Sequence, residues 1–246
     1  MAGTGGARSG GSGRAHGGTP VPADARAPES LRALHHRLAV GEPVVVRAAG
    51  RGAAAWAVRR LADCLGGAGF THVAVTDGEP SAMAVRARSL ADSVRPGLRL
   101  LCIGLNPSLV AADAGVGYAG ATNRFWPAAV AAGLVPRPRD VDAALAAGVG
   151  MTDLVKRATP RADALHPTEY AVGAARVERL VSWLRPEVVA FVGLTGYRSA
   201  VDRLATVGFQ ADGFGGRPAY VLPSTSGANA HATLADLVGH LRAATA

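Results

Sequence analysis

The sequence predicts an α/β fold: a three-layer αβα sandwich with a mainly parallel central sheet, preceded by a small α/β N-terminal module. Three observations carry that expectation. Continuous apolar runs at 98–105, 188–194 and 219–223 read as strands buried on both faces, as in a parallel sheet. Stretches at helical spacing separate or follow them, around 125–132, 141–147, 168–184, 197–207 and 234–241. Finally, the strands end in unusual turn sequences, Gly104-Leu105-Asn106-Pro107-Ser108 and Pro223-Ser224-Thr225-Ser226-Gly227, where open parallel sheets bind their ligands.

In chain order, residues 1–27 are rich in Gly, Ser, Pro and Arg, have no hydrophobic period and are expected to form a flexible arm. Residues 28–94 form the module. Leu31, Leu34, His35 and Leu38 lie at helical spacing, and Pro43-Val44-Val45-Val46 is a short β-type run. A second helix is expected over 53–65, with Trp56, Val58, Leu61 and Leu65 as apolar positions; Gly66, Gly67 and Gly69 end it, and a strand follows over 70–75. The link over 77–96 is read with one helix. The passage Cys64-Leu65-Gly66-Gly67-Ala68-Gly69-Phe70 resembles a helix-to-strand junction of methyltransferase-type α/β folds. The Gly-rich cofactor loop of those enzymes has no counterpart upstream, so the module reads as a methyltransferase-like remnant of unknown role. Residues 95–246 form the second domain.

With 246 residues, 49% hydrophobic and 18% charged, the chain can bury one good core or two modest ones. The net charge of +8 suits a polyanionic partner, although Lys156 is the single lysine. No apolar run reaches the ~18 residues of a membrane span, and the N-terminus lacks a signal peptide's apolar centre. A cytoplasmic, nucleoid-associated monomer is expected. Cys64 and Cys102 lie far apart and outside any CxxC pair, so disulfide, zinc and iron–sulfur readings lack ligands. No metal or cofactor is expected. Gly115-Val116-Gly117-Tyr118-Ala119-Gly120 matches GxGxxG, but the dinucleotide fingerprint needs its first glycine directly after a strand, and here the strand ends about ten residues earlier.

Asn106 precedes a proline and so avoids the helical region; its carboxamide both donates and accepts, which lets it direct a water without acting as a strong base. Alone, such an Asn-Pro is most simply a turn. The segment Gly104 to Ser108 is followed, however, by Tyr118 and then by Asn123-Arg124-Phe125-Trp126. Farther on come Gly148-Val149-Gly150-Met151-Thr152-Asp153-Leu154-Val155-Lys156-Arg157 and Val221-Leu222-Pro223-Ser224-Thr225-Ser226-Gly227. In this order the pieces resemble the mismatch-specific uracil/thymine-DNA glycosylases of the uracil-DNA glycosylase superfamily, whose first motif is G-[IL]-N-P-[GS] followed by an aromatic and N-[RH]-F-W. The similarity runs from about residue 95 to the C-terminus.

The resemblance implies a monofunctional glycosylase that hydrolyses the N-glycosidic bond of uracil, or a related damaged or mismatched pyrimidine, in DNA. The base would be flipped into the strand-end pocket from duplex DNA, or taken from a single strand. Asn106 would position the attacking water. Leu105 and Ser108 would read the base edge through their backbone, Tyr118 would stack on the base, and Ser224, Ser226 and Gly227 would complete the pocket. Ala228, Asn229, Lys156 and Arg157 would approach the DNA. Phe125 and Trp126 read as core beneath the pocket, and Arg124 as either a phosphate contact or an ion-pair partner.

The pattern also departs from its relatives. Strongly uracil-specific branches carry Asp in the first motif and His at the start of the second, where this chain has Asn106 and Ser224. Mismatch-specific relatives often continue the second motif with a wedging Leu and an Arg, where this chain has Ala228 and Ala230. Two other readings fit the same motifs: a non-catalytic DNA-binding protein of this fold, and a nucleotide- or RNA-processing enzyme using the same pocket.

Overall fold

The computed structural model describes residues 18–53, 56–76 and 80–246. Two sheets form, each over its own apolar core. The N-terminal sheet comprises β1 (Thr19–Pro22), β2 (Pro43–Ala49), β3 (Phe70–Val75) and β4 (Ser81–Arg86), in the order β1-β2-β4-β3. β1 runs parallel to β2, whereas β4 is antiparallel to both β2 and β3. Helices α1 (Ala27–Arg37) and α2 (Val58–Gly67) bury Leu31, Leu34, Leu61 and Leu65 in a core shared with Val46, Ala82 and Ala84. Glu29 in the first turn of α1 and His35, His36 and Arg37 in its last turn are placed with the helix dipole.

Three expectations for this region need correction. The arm expected through residue 27 contains β1; Pro20 and Pro22 withhold N–H groups, which an edge strand tolerates. Residues 1–17 of that arm lie outside the described residues. The link expected to hold a helix instead holds β4, in which Ala82 and Ala84 point inward and Met83 outward, a period of two rather than 3.6. The second helix begins at Val58 rather than at 53, and residues 54–55 of the expected span lie outside the described residues.

The second sheet has the order β6-β5-β7-β9-β8, with β5 (Leu100–Gly104), β6 (Val149–Asp153), β7 (Val188–Val192), β8 (Gly208–Phe214) and β9 (Arg217–Leu222). All neighbours are parallel except the edge pair β8 and β9. From β5 the chain passes through α3 (Leu109–Ala114), α4 (Phe125–Ala131) and α5 (Val141–Ala146) to β6, then returns across the sheet through α6 (Pro167–Leu184) to β7. Right-handed crossovers in opposite directions place these helices on opposite faces. α7 (Leu194–Ala200) packs on α6 and α8 (Leu234–Ala243) on α4, completing the three layers. α7 replaces the helix expected over 197–207, and β6 and β8 are strands the sequence reading lacked.

α6 lies close against the strand-to-loop passage after β6, because Gly173 has no side chain: a Cβ there would overlap the Leu154 carbonyl. Gly173→Ala is expected to push α6 outward and destabilise the protein by about 2 kcal/mol, measurable as a lower midpoint in urea unfolding.

The two sheets are joined tightly. Ala91 to Val94 are buried, and Ser93 exchanges two 2.8 Å backbone hydrogen bonds with Met151 of β6. The expected division between 94 and 95 falls at the end of this buried segment. Asp92 sits at its centre. Its carboxylate accepts from Thr152 Oγ1 at 2.6 Å, Lys156 Nζ at 2.8 Å and Arg176 Nη1 at 2.7 Å. Burial works to raise the Asp92 carboxyl, but the Arg176 and Lys156 charges and the donated hydrogen bonds outweigh it and hold the group below its ordinary range. Farther out, Arg32–Asp142 and Arg179–Asp63 bridge the two parts at 2.6 and 2.7 Å.

Candidate active site

A cavity of about 370 Å³ opens at the carboxyl ends of β5, β6 and β9. It is lined by all seven residues expected to bind the reacting nucleotide: Asn106, Leu105, Ser108, Tyr118, Ser224, Ser226 and Gly227. A larger groove of about 450 Å³ runs between α2 and α6, lined by Arg59, Arg60, Arg176, Arg179 and Trp183. None of the expected site residues lines it, and three of its four arginines are engaged locally. Arg179 pairs with Asp63, Arg176 with Asp92, and Arg60 lies 4.7 Å from the Trp183 ring centre.

Asn106 leaves β5 and turns its carboxamide onto the loop after β6. Nδ2 donates to Thr159 Oγ1 at 2.8 Å and to the Arg157 carbonyl at 3.0 Å. A backbone carbonyl only accepts, so the nitrogen must face it. Thr159 reinforces the assignment: its hydroxyl donates to the Arg161 carbonyl at 2.8 Å, leaving its oxygen to accept from Asn106. Oδ1 takes no hydrogen bond from the described residues and is available to a ligand or water. Thr159, itself buried, is thus a positioning residue the sequence reading missed. Only the path of the loop back to the strand end, marked by its bridge to Ser108, reveals it.

Asp153 is the second missed residue. It ends β6, lines the cavity and is buried against Gly104, where an added Cβ would overlap its carboxylate. Burial pushes its carboxyl up to about 6, with Lys156 and Arg176 pulling it down and Asp92 pushing it up. A buried acid poised near neutrality in a cleft is a candidate proton acceptor.

Tyr118, at φ 56°, stacks one ring face on Phe125 with centroids 4.1 Å apart and planes 22° apart. Burial raises its hydroxyl well above the ordinary value. Phe125 and Trp126 are core, as expected, and Trp126 Nε1 donates to the Gly117 carbonyl at 2.8 Å, fixing the turn that carries Tyr118. Ser108 caps α3 by accepting from Ala111 N at 3.2 Å.

Arg124 pairs with no acid among the described residues. Its guanidinium holds the loop of the second motif, donating to the carbonyls of Asn229 at 2.7 Å, Ser226 at 3.2 Å and Ala232. Gly227 passes against Thr122 so closely that any Cβ would overlap it. The Asn123–Trp126 motif and the second motif are therefore one structural unit.

The expected DNA contacts fare unevenly, and none of the four lines the cavity. Ala228 is exposed on the lip. Lys156 is corrected: its ammonium is drawn inward to Asp92, leaving the side chain 14% exposed. Asn229 is also corrected, because its amide donates to the Ser224 carbonyl at 2.8 Å and its oxygen accepts from His231 N, so it shapes the loop. Arg157 is half exposed but closed on Glu169 at 2.7 and 2.8 Å, and that pairing lowers the Glu169 carboxyl to about 2. Cys64 and Cys102 are buried and their thiols are pushed up to about 12, which suits packing rather than reactivity.

Fold and cavity together define a class: an α/β protein with a cavity at its strand ends, lined by a fixed carboxamide and a buried acid. Residues 91–242 match the model of the uracil DNA glycosylase superfamily, and the chain belongs to that superfamily. It falls among the DNA glycosylases, hydrolases that act on uracil in DNA.

Proposed function

We propose that this chain is a monofunctional glycosylase of the mismatch-specific type, excising uracil or a related damaged pyrimidine from DNA by direct attack of water. The observation that carries the reading is the fixed Asn106 carboxamide, whose oxygen is turned away from the loop and available to hold a water. The water oxygen bonds to the sugar's anomeric carbon as the N-glycosidic bond breaks, and the bonding electron pair leaves with the base. Asp153, ionised near neutral pH, takes the proton that the water releases. The resulting base anion is stabilised by backbone N–H groups around Leu105 and Ser108, and Tyr118 stacks its remaining face on the base. Ala228 offers no wedge to hold a duplex open, which favours single strands and weakly paired mismatches as substrates.

The test uses oligonucleotides bearing uracil, mismatched thymine, ethenocytosine or hypoxanthine, single-stranded and paired, with alkaline cleavage of the abasic product. Uracil excision by the wild type is expected, falling about 100-fold in Asn106→Ala. No cleavage across the panel would sink the enzyme reading, and binding without cleavage would point to a non-catalytic DNA-binding protein. Unchanged activity in Asn106→Ala would remove the water-directing role.

A further inference from the structure

The strand-end cavity carries formal charge at two points: among its lining residues Asp153 is the one acid and Arg161 the one cation. They differ in depth. Asp153 is buried against Gly104, whereas the Arg161 side chain is 79% exposed. A ligand matched to this polarity has a neutral end that goes in and an anionic end that stays out. We propose that Arg161 captures the backbone phosphate next to the extruded nucleotide, so that the nucleotide enters base first. This inference rests on the glycosylase reading above.

Two features support Arg161 over other cations near the site. First, its guanidinium is available. Its partner is Asp163, two residues on, 2.5 Å away and itself 62% exposed, and such a surface pair holds weakly in water. A backbone phosphodiester offers the same two-oxygen geometry and the same single negative charge. Lys156, Arg157 and Arg124 are instead engaged by Asp92, Glu169 and loop carbonyls. Second, its backbone is anchored to the reacting end of the site. The Arg161 carbonyl accepts from Thr159 Oγ1, which accepts from Asn106 Nδ2, both at 2.8 Å. A phosphate held by Arg161 is thus registered against the carboxamide through two hydrogen bonds. The opposite lip, at Ser226 to Ala228, supplies no charge of its own.

The experiment measures affinity for an oligonucleotide carrying 2′-fluoro-arabino-uridine, which resists cleavage, across a range of salt concentrations. Arg161→Ala is expected to bind about 10-fold more weakly at 0.1 M salt, with the slope of log K against log salt smaller by about one. Arg161→Lys is expected to restore the slope. Arg185→Ala, which removes an equal charge at the end of α6 that leads into β7, away from the cavity, is expected to leave the slope unchanged. An unaltered slope in Arg161→Ala, or an equal loss in Arg185→Ala, overturns the assignment while uracil excision by the wild type still stands. A wild type that neither binds nor excises uracil overturns the glycosylase reading, and this inference with it.

Discussion

Asp153→Asn is expected to lose excision by about 1,000-fold while gaining stability above pH 6, a combination that a purely structural side chain does not give. The rate term follows from general-base catalysis, worth roughly 10²–10⁴-fold. In the wild type, single-turnover excision rises about tenfold per pH unit up to about 6, where the Asp153 carboxyl ionises, and is level above it. The Asn variant lacks that rise. The stability term has the opposite sign because the folded carboxyl titrates above its unfolded value. Between the unfolded value near 4 and about 6 the native state holds the extra proton, so stability falls as pH rises through this window. Above it the full penalty of a buried, ionised carboxylate applies, on the order of 2 kcal/mol. Asn removes that penalty, so the two unfolding curves separate at pH 8 and converge near pH 4. A variant that excises as fast as the wild type would end the case for Asp153 as the base.

Asp92→Ala is expected to be the most damaging change outside the cavity. It leaves Arg176 and Lys156, with side chains 9% and 14% exposed, without their counter-charge. Removing one partner from a buried ionic cluster costs roughly 3–5 kcal/mol, or on the order of 10 °C in melting temperature for a chain this long. The folded Asp92 carboxyl lies below its unfolded value, so its stabilisation is complete above about pH 4 and is lost as pH falls through the lower folded value. Wild type and variant should therefore differ fully at pH 7 and approach each other only in acid. Equal melting temperatures at pH 7 would show that the cluster is dispensable. The damage should also reach the site, because Arg176 Nη2 donates to the Asp153 carbonyl at 2.8 Å and so steadies the end of β6.

What could be read from the sequence follows from how strongly each element announces itself. β5, β7 and β9 are apolar runs closed by turn residues, and a parallel sheet buried on both faces requires that pattern. β6, Val149-Gly150-Met151-Thr152-Asp153, is equally buried but carries Gly, Thr and Asp, and the Thr152 hydroxyl finds its partner, Asp92, only in the folded structure. Missing β6 meant missing Asp153, since an acid closing a parallel strand attracts notice only once the strand is recognised. β1, β4 and β8 lie outside the buried parallel strands of the second sheet, and their Pro, Ala and Gly content weakens any β signal. The cavity residues were legible because separated motifs recur in a fixed order. Lys156 misled because charge alone does not reveal whether an ammonium points to solvent or to a buried carboxylate.

The short pairing of Ser93 with Met151 bears on solubility. β6 is one of the two edge strands of the second sheet, and a bare parallel edge offers its unpaired N–H and C=O groups to any extended peptide. The buried stretch from Ala91 to Val94 lies along that edge and occupies it at Met151. This short segment thus covers the β6 edge at Met151 against strand addition. Severing the chain after Val94 would remove that cover and open a seam for self-association.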